Sequence, residues 1–120
     1  MADMTMGAAE TRFAERIWER EPISSSELAK QSAAVLGWKK STTYTVLKRL
    51  CDKGIFQNAA GEVTSRLTRE EFYAARSEQF VEQTFHGSLP AFLAAFTARK
   101  GLTREEAEEL RRLVEAYEEE

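Results

Sequence analysis

The residues best placed to do chemistry lie between Trp38 and Phe56, in the stretch WKKSTTYTVLKRLCDKGIF. Lys39 and Lys40 lead into a run of short hydroxyl side chains, Ser41, Thr42, Thr43 and Thr45, interrupted by Tyr44. Lys48 and Arg49 follow. Val46, Leu47 and Leu50 recur at helical spacing and would seat the segment on a core, with Gly54 as a left-handed stop. Hydroxyl and β-branched residues are mediocre helix formers, so a run of them at a helix start serves something other than helix stability. Ammonium groups beside short hydroxyls suit close approach to phosphates and to base edges in a DNA major groove. Such starts also arise because Ser and Thr cap helices. This segment alone does not separate the two readings.

Charge distribution bears on the choice. The 120 residues carry a formal net charge of −3, which by itself argues against a polyanionic partner. Divided, residues 1–67 hold ten Lys/Arg against eight Asp/Glu, or +2, and residues 68–120 hold seven against twelve, or −5. Between residues 30 and 53 the positive side chains are Lys30, Lys39, Lys40, Lys48, Arg49 and Lys53, and the only negative one is Asp52. A phosphate-binding surface needs such a local excess and not a basic protein overall.

Composition excludes other classes. Charged residues at 31% and hydrophobic ones at 42% describe a globular chain of one or two small domains. No apolar run approaches the roughly 18 residues of a membrane span, and the opening MADMTMGAAETRF lacks the pattern of a signal peptide. Cys51 is the single cysteine, which excludes an internal disulfide and fits a reducing cytoplasm. With one histidine beside it, no transition-metal cluster is expected. Neither a nucleophile–base pair nor a Gly-rich phosphate loop is visible, so no enzyme and no cofactor is expected.

The elements that must position the Trp38–Phe56 stretch follow from caps and breaks. A first helix spans about Gly7 to Arg20, with Phe13, Ile17 and Trp18 on one face and Ala9 and Met6 behind them. Pro22 breaks it, and Ile23 begins a very short strand. Ser24-x-x-Glu27 is a capping box that opens a second helix through Leu36, with Leu28, Ala29 and Val35 facing inward and Gly37 as its stop. Trp38 covers the join to the helix already described. Ile55-Phe56-Gln57 reads as a strand, Asn58 to Gly61 as a turn, and Glu62 to Leu67 as the returning strand with Val63, Ser65 and Leu67 on one face. Three helices followed by a hairpin is the order of a winged helix-turn-helix domain, here residues 1–67, with the hairpin as the wing.

Residues 68–120 read as helices only. Thr68-x-x-Glu71 and Thr103-x-x-Glu106 open two of them, and Ser88 with Pro90 opens another between. Their apolar faces carry Phe72, Phe80, Phe85, Phe92, Phe96, Leu110, Leu113, Val114 and Tyr117. Three short helices of this size rarely bury so much by themselves. A symmetric homodimer is the expected cover, and two half-sites of an operator would require one. The fold class is therefore mostly α with a small β-hairpin wing, followed by a helical dimerisation region.

The chain resembles the penicillinase-repressor family of bacterial winged-helix regulators. The matching pieces are AAE…IW at Ala8–Trp18, PISSSEL at Pro22–Leu28, TTYTVLKRLCDKGIF at Thr42–Phe56 and LTREEAEELRRLV at Leu102–Val114. The resemblance implies a cytoplasmic repressor that binds a palindromic operator in double-stranded DNA as a homodimer, controlling a β-lactam-resistance-like or related stress operon. It places recognition on the helix that begins near Lys40. Ser41, Thr42, Tyr44 and Thr45 would then face the groove, and Lys39, Lys40, Lys48 and Arg49 would meet phosphates. Arg49 could instead be an internal brace between Leu47 and Leu50. Arg66 is the only basic residue of the wing, so wing contacts should be weak.

A regulatory protease is a further partner implied by the resemblance, since lactam-responsive members are cut at an Asn-Phe bond. The matching pair here is Ala95-Phe96, which lacks the Asn, so that cleavage is not expected. The chain ends YEEE without the paired cysteines of copper-responsive members, so copper sensing is not expected. A winged-helix module that binds proteins and not DNA is the rival reading, because fold does not fix function.

Overall fold

The computed structural model of the chain describes residues 2–119. It forms two compact units, residues 1–79 and 80–120, and the division falls inside a helix.

The first unit opens with α1 (Ala8–Arg20), which buries Phe13, Ala14 and Ile17. After β1 (Ile23–Ser24) comes α2 (Ser25–Leu36). The Ser24 hydroxyl caps α2 by accepting from the Glu27 amide at 3.1 Å. Gly37 ends it at φ 69°, a left-handed conformation that costs glycine nothing. Leu28 and Ala29 face inward as expected. Val35 does not: it is exposed, and buried Ser32 holds the inner position one turn before it. Then α3 (Lys40–Asp52) buries Thr43, Val46, Leu47 and Leu50.

A three-stranded antiparallel sheet completes the unit. β2 (Phe56–Ala59) and β3 (Glu62–Ser65) form the hairpin, and β1 pairs on the other side of β3, giving the order β1-β3-β2. The hairpin turn is Ala60-Gly61, both with positive φ, as a tight turn between twisted strands requires. Asn58 and Ala59, expected in the turn, are thus in the strand, and Ile55 sits before it with its amide on Leu50 O.

α4 (Arg69–Phe85) starts on a full capping box: Thr68 and Glu71 each accept from the other's amide, at 2.9 and 3.1 Å. Its first half belongs to the first unit. The Trp18 ring lies 5.4 Å from Phe72 and 5.2 Å from Phe56, and the Trp18 indole donates to Leu67 O at 3.0 Å. Phe72 is 2% exposed. It is a core residue of this unit and cannot offer a face to a second chain, contrary to the expectation from sequence.

The second unit contains the end of α4 with α5 (Leu89–Arg99) and α6 (Arg104–Tyr117). Ser88 caps α5 through the Ala91 amide, and Thr103 with Glu106 forms a full capping box for α6. Phe80, Phe85 and Phe92 meet edge to face at 5.6–5.9 Å. No residue of α5 or α6 is fully buried.

Candidate nucleic-acid interface

The phase of α3 decides which of its side chains can meet a ligand. Thr43, Val46, Leu47 and Leu50 stand at i, i+3, i+4 and i+7, and this stripe is the buried one. Thr43 was expected on the groove face. It is fully buried, and its hydroxyl has no hydrogen-bond partner among the described residues. Ser41, Thr42, Thr45, Lys48 and Arg49 occupy the exposed face. Tyr44 is half-buried at its edge, with its hydroxyl 3.5 Å from Ser25 Oγ at the start of α2.

The polar groups on that face differ in what they have left to offer. Thr45 Oγ1 donates to Ser41 O at 2.9 Å, so its proton is committed while its oxygen can still accept. Among the described residues no hydrogen bond engages the Ser41 or Thr42 hydroxyl. Lys48 reaches Asp52 at 3.0 Å, an exposed i,i+4 pair of the kind that contributes little and is readily exchanged for a phosphate. Arg49 is held differently: its guanidinium lies 2.9 Å from Glu10 on α1 and ties the two helices together. Of its two expected roles, brace or phosphate contact, the geometry gives the brace. Lys53 donates to Thr5 O at 2.9 Å and is likewise engaged within the fold.

The start of α3 is unusual for a helix. Lys39 is its N-cap and gives no side-chain cap, and its first turn contains no acid. Helix N-termini carry partial positive charge and prefer Asp, Glu or a capping hydroxyl. Here Lys39 and Lys40 add two cations at that end, both exposed and in no salt bridge among the described residues. The placement works against the isolated helix and favours an anion such as phosphate.

The hairpin is fixed from two sides. The Ser25 amide donates to Gly61 O at 2.8 Å, so the turn satisfies one of the amides that α2 leaves open at its start. Glu21 accepts from the Ser65 amide at 2.8 Å and from the Ser65 hydroxyl. Neither Glu21 nor Glu10 stood out in the sequence, because nothing local marks the partner of a carboxylate 44 or 39 residues away. Arg66 is exposed but lies just past β3, at the base of the hairpin. The tip, Asn58 to Glu62, carries no basic residue.

A three-helix core, an exposed helix rich in hydroxyls and lysines, and a braced hairpin form one constellation. Over nearly the whole chain it coincides with a family match: the profile described as penicillinase repressor covers residues 6–116. The chain belongs to the penicillinase repressor family. It is similar to the penicillinase repressor of Bacillus licheniformis, 26% identical over 113 residues, which span 91% of this chain and 88% of that one. It is also similar to the methicillin resistance regulatory protein MecI of Staphylococcus aureus, 22% identical over 113 residues, 91% of this chain and 92% of that one.

Within the family frame the remaining candidate groups take ordinary places. Cys51 is half-buried, and desolvation raises its thiol above the usual range, which disfavours the reactive thiolate. Tyr73 donates to Glu15 at 2.8 Å, and that hydrogen bond raises its phenol. Ala95 and Phe96 lie inside α5. Among the described residues no three His, Cys, Asp or Glu side chains are grouped to hold a metal. No helix there is long and apolar enough to cross a membrane.

Proposed function

We propose that this chain is a transcriptional repressor that binds a palindromic operator in duplex DNA as a homodimer. The observation that carries the proposal is the start of α3: two cations stand at an uncapped helix N-terminus, beside hydroxyls that no group of the fold engages. Family membership points the same way, since the family is one of repressors and not of enzymes. Ser41, Thr42, Tyr44 and Thr45 read base edges, while Lys39, Lys40 and Lys48 contact phosphates; Arg66 adds a weak contact from the base of the hairpin.

The second unit supports the homodimer. Leu89, Phe96, Leu102, Leu113, Val114 and Tyr117 are exposed there. Between α5 and α6 a groove of about 450 Å³ is lined by Phe92, Phe96, Leu102, Leu110 and Leu113. Apolar surface of this kind is what a symmetric partner covers. The names of the relatives, penicillinase repressor and methicillin resistance regulatory protein, support a regulated operon of the β-lactam-resistance kind.

The test is selection from a random duplex pool by the purified chain, followed by gel shift. Recovery of an inverted repeat, bound with an affinity that falls steeply with salt, is expected. Failure to enrich any sequence would overturn the proposal and leave a protein-binding winged-helix module.

A further inference from the structure

The residues ahead of α1 cross the first unit as a strap. Asp3 folds it by accepting from both the amide and the hydroxyl of Thr5, at 2.9 and 2.6 Å. Met4 is buried in the core, 5% exposed. On one side of Met4, Lys53 at the end of α3 donates to Thr5 O at 2.9 Å. On the other side, Gln79 of α4 closes a ring on the strap backbone. Its Oε1 accepts from the Met4 amide at 2.9 Å, and its Nε2 donates to Ala2 O at 2.7 Å. An amide held at both ends cannot swing away from its partners.

The position of Gln79 gives this ring its importance. α4 is first anchored to the unit by Phe72, in the core, and by Arg69 and Tyr73, both on Glu15. A helix held only through one turn can pivot about that turn. Gln79 lies two turns further on, roughly 10 Å along the axis at 1.5 Å per residue. A second fixed point at that distance sets the direction of α4. Gln79 is also the last residue of the first unit, and the same helix continues at Phe80.

We propose that Gln79 is a positioning residue for operator recognition: by pinning α4 to the N-terminal strap, it restricts the half-site spacings that a dimer accepts. The inference rests on the reading of the chain as a dimer on a two-half-site operator. Gln79 touches no DNA in this scheme. It acts through the direction of α4, so its loss should spare the affinity of one reader for one half-site. What it should weaken is the simultaneous fit of two, where the effective concentration of the second reader depends on how stiffly it is held.

The experiment uses the full chain and the inverted repeat that the wild-type protein selects from a random duplex pool. Wild type and Gln79→Ala are titrated against that duplex, against versions with the half-sites moved together or apart by one and two base pairs, and against a single half-site. For Gln79→Ala, half-site affinity should stay within about twofold, affinity for the selected spacing should fall about tenfold, and discrimination among spacings should flatten. Gln79→Glu keeps the acceptor for Met4 and loses the donor to Ala2. It should give an intermediate profile, and it serves as the second variant if the Ala form is poorly folded. A spacing profile identical to wild type in the folded variants would overturn the role of Gln79 while leaving the repressor reading intact. An equal loss on half-site and full site would overturn it too, by showing a general structural defect. Selection of isolated half-sites by the wild type would overturn both the dimer reading and this inference.

Discussion

The two units of this chain solve the problem of a small core in opposite ways. The first closes its own: Phe13, Ile17, Leu28, Leu50, Ile55, Phe56 and Val63 are all fully buried. The second buries no residue of α5 or α6, and leaves Leu113 at 54%, Val114 at 62% and Tyr117 at 77% exposure. The difference is not one of composition, since both are rich in aromatic and aliphatic side chains. It is one of shape. A sheet and three crossed helices can enclose a centre, whereas short helices with apolar stripes on outward faces cannot. A unit that finishes its own core can present a rigid reading surface. A unit that leaves its apolar face open stores its free energy for a partner.

The comparison breaks most visibly at Phe72, which sits on α4 but belongs to the first core. Phe72→Ala should destabilise that unit by about 3–5 kcal/mol, as large-to-small changes at buried phenylalanines do. Trp18 and Trp38 both lie there, so tryptophan fluorescence in a urea titration reports on that unit alone. A loss under about 1 kcal/mol would mean that Phe72 is not the core residue described.

The converse change leaves the first unit alone. Leu113→Glu with Val114→Glu should leave the urea midpoint of the tryptophan signal in place and give a monomer by sedimentation. Operator affinity should fall about a hundredfold as two readers lose their link. A wild-type chain that sediments as a monomer at micromolar concentration would remove the basis of this expectation.

A smaller effect sharpens the account of the reading face. Lys39→Ala should weaken binding to all sequences alike and reduce the slope of log affinity against log salt by about 0.9. Thr42→Ala should instead alter which base pairs are preferred. If Lys39→Ala changed preference and left the slope untouched, the division between phosphate and base contacts would be wrong.

The least effect concerns the capping box of α6. The Thr103 amide and hydroxyl hold the Glu106 carboxyl below its ordinary range. A depressed folded-state value means that the contribution is present above the unfolded-state value and is lost as pH falls through the folded one. Amide exchange at Glu106 and Ala107 should therefore speed up in acid, and Thr103→Ala should remove that dependence. Exchange that is flat with pH in the wild type would show the cap to be without effect.

What the sequence made legible were the features written locally. The Ser24-x-x-Glu27, Thr68-x-x-Glu71 and Thr103-x-x-Glu106 patterns marked helix starts, and Gly37 and Gly54 marked stops. The family resemblance rested on short runs of residues and holds over most of the chain. Thr43 was misplaced although its phase with Val46, Leu47 and Leu50 was in plain view; hydroxyl chemistry outweighed periodicity. Val35 was misplaced for the opposite reason, since an apolar side chain at the end of a helix need not face the core. Phe72 could not have been placed, because its partner Trp18 is on α1 and only the path of the chain brings them together. The same holds for Arg49 on Glu10, which decided between two roles that residue type left open.

The bond from Ser25 to the hairpin turn has a bearing on how the double helix must behave. With Gly61 O tied to the first residue of α2, and Ser65 tied to Glu21, the hairpin and the reading helix form one stiff template. A template that does not flex leaves the adjustment to the duplex. At the hairpin tip, Ala60 and Gly61 have no side chain with which to recognise a base. Sequence preference there would come from the ease with which a base step twists or opens, so that pliable pyrimidine–purine steps are favoured over stiff A-tracts without a single contact to their edges.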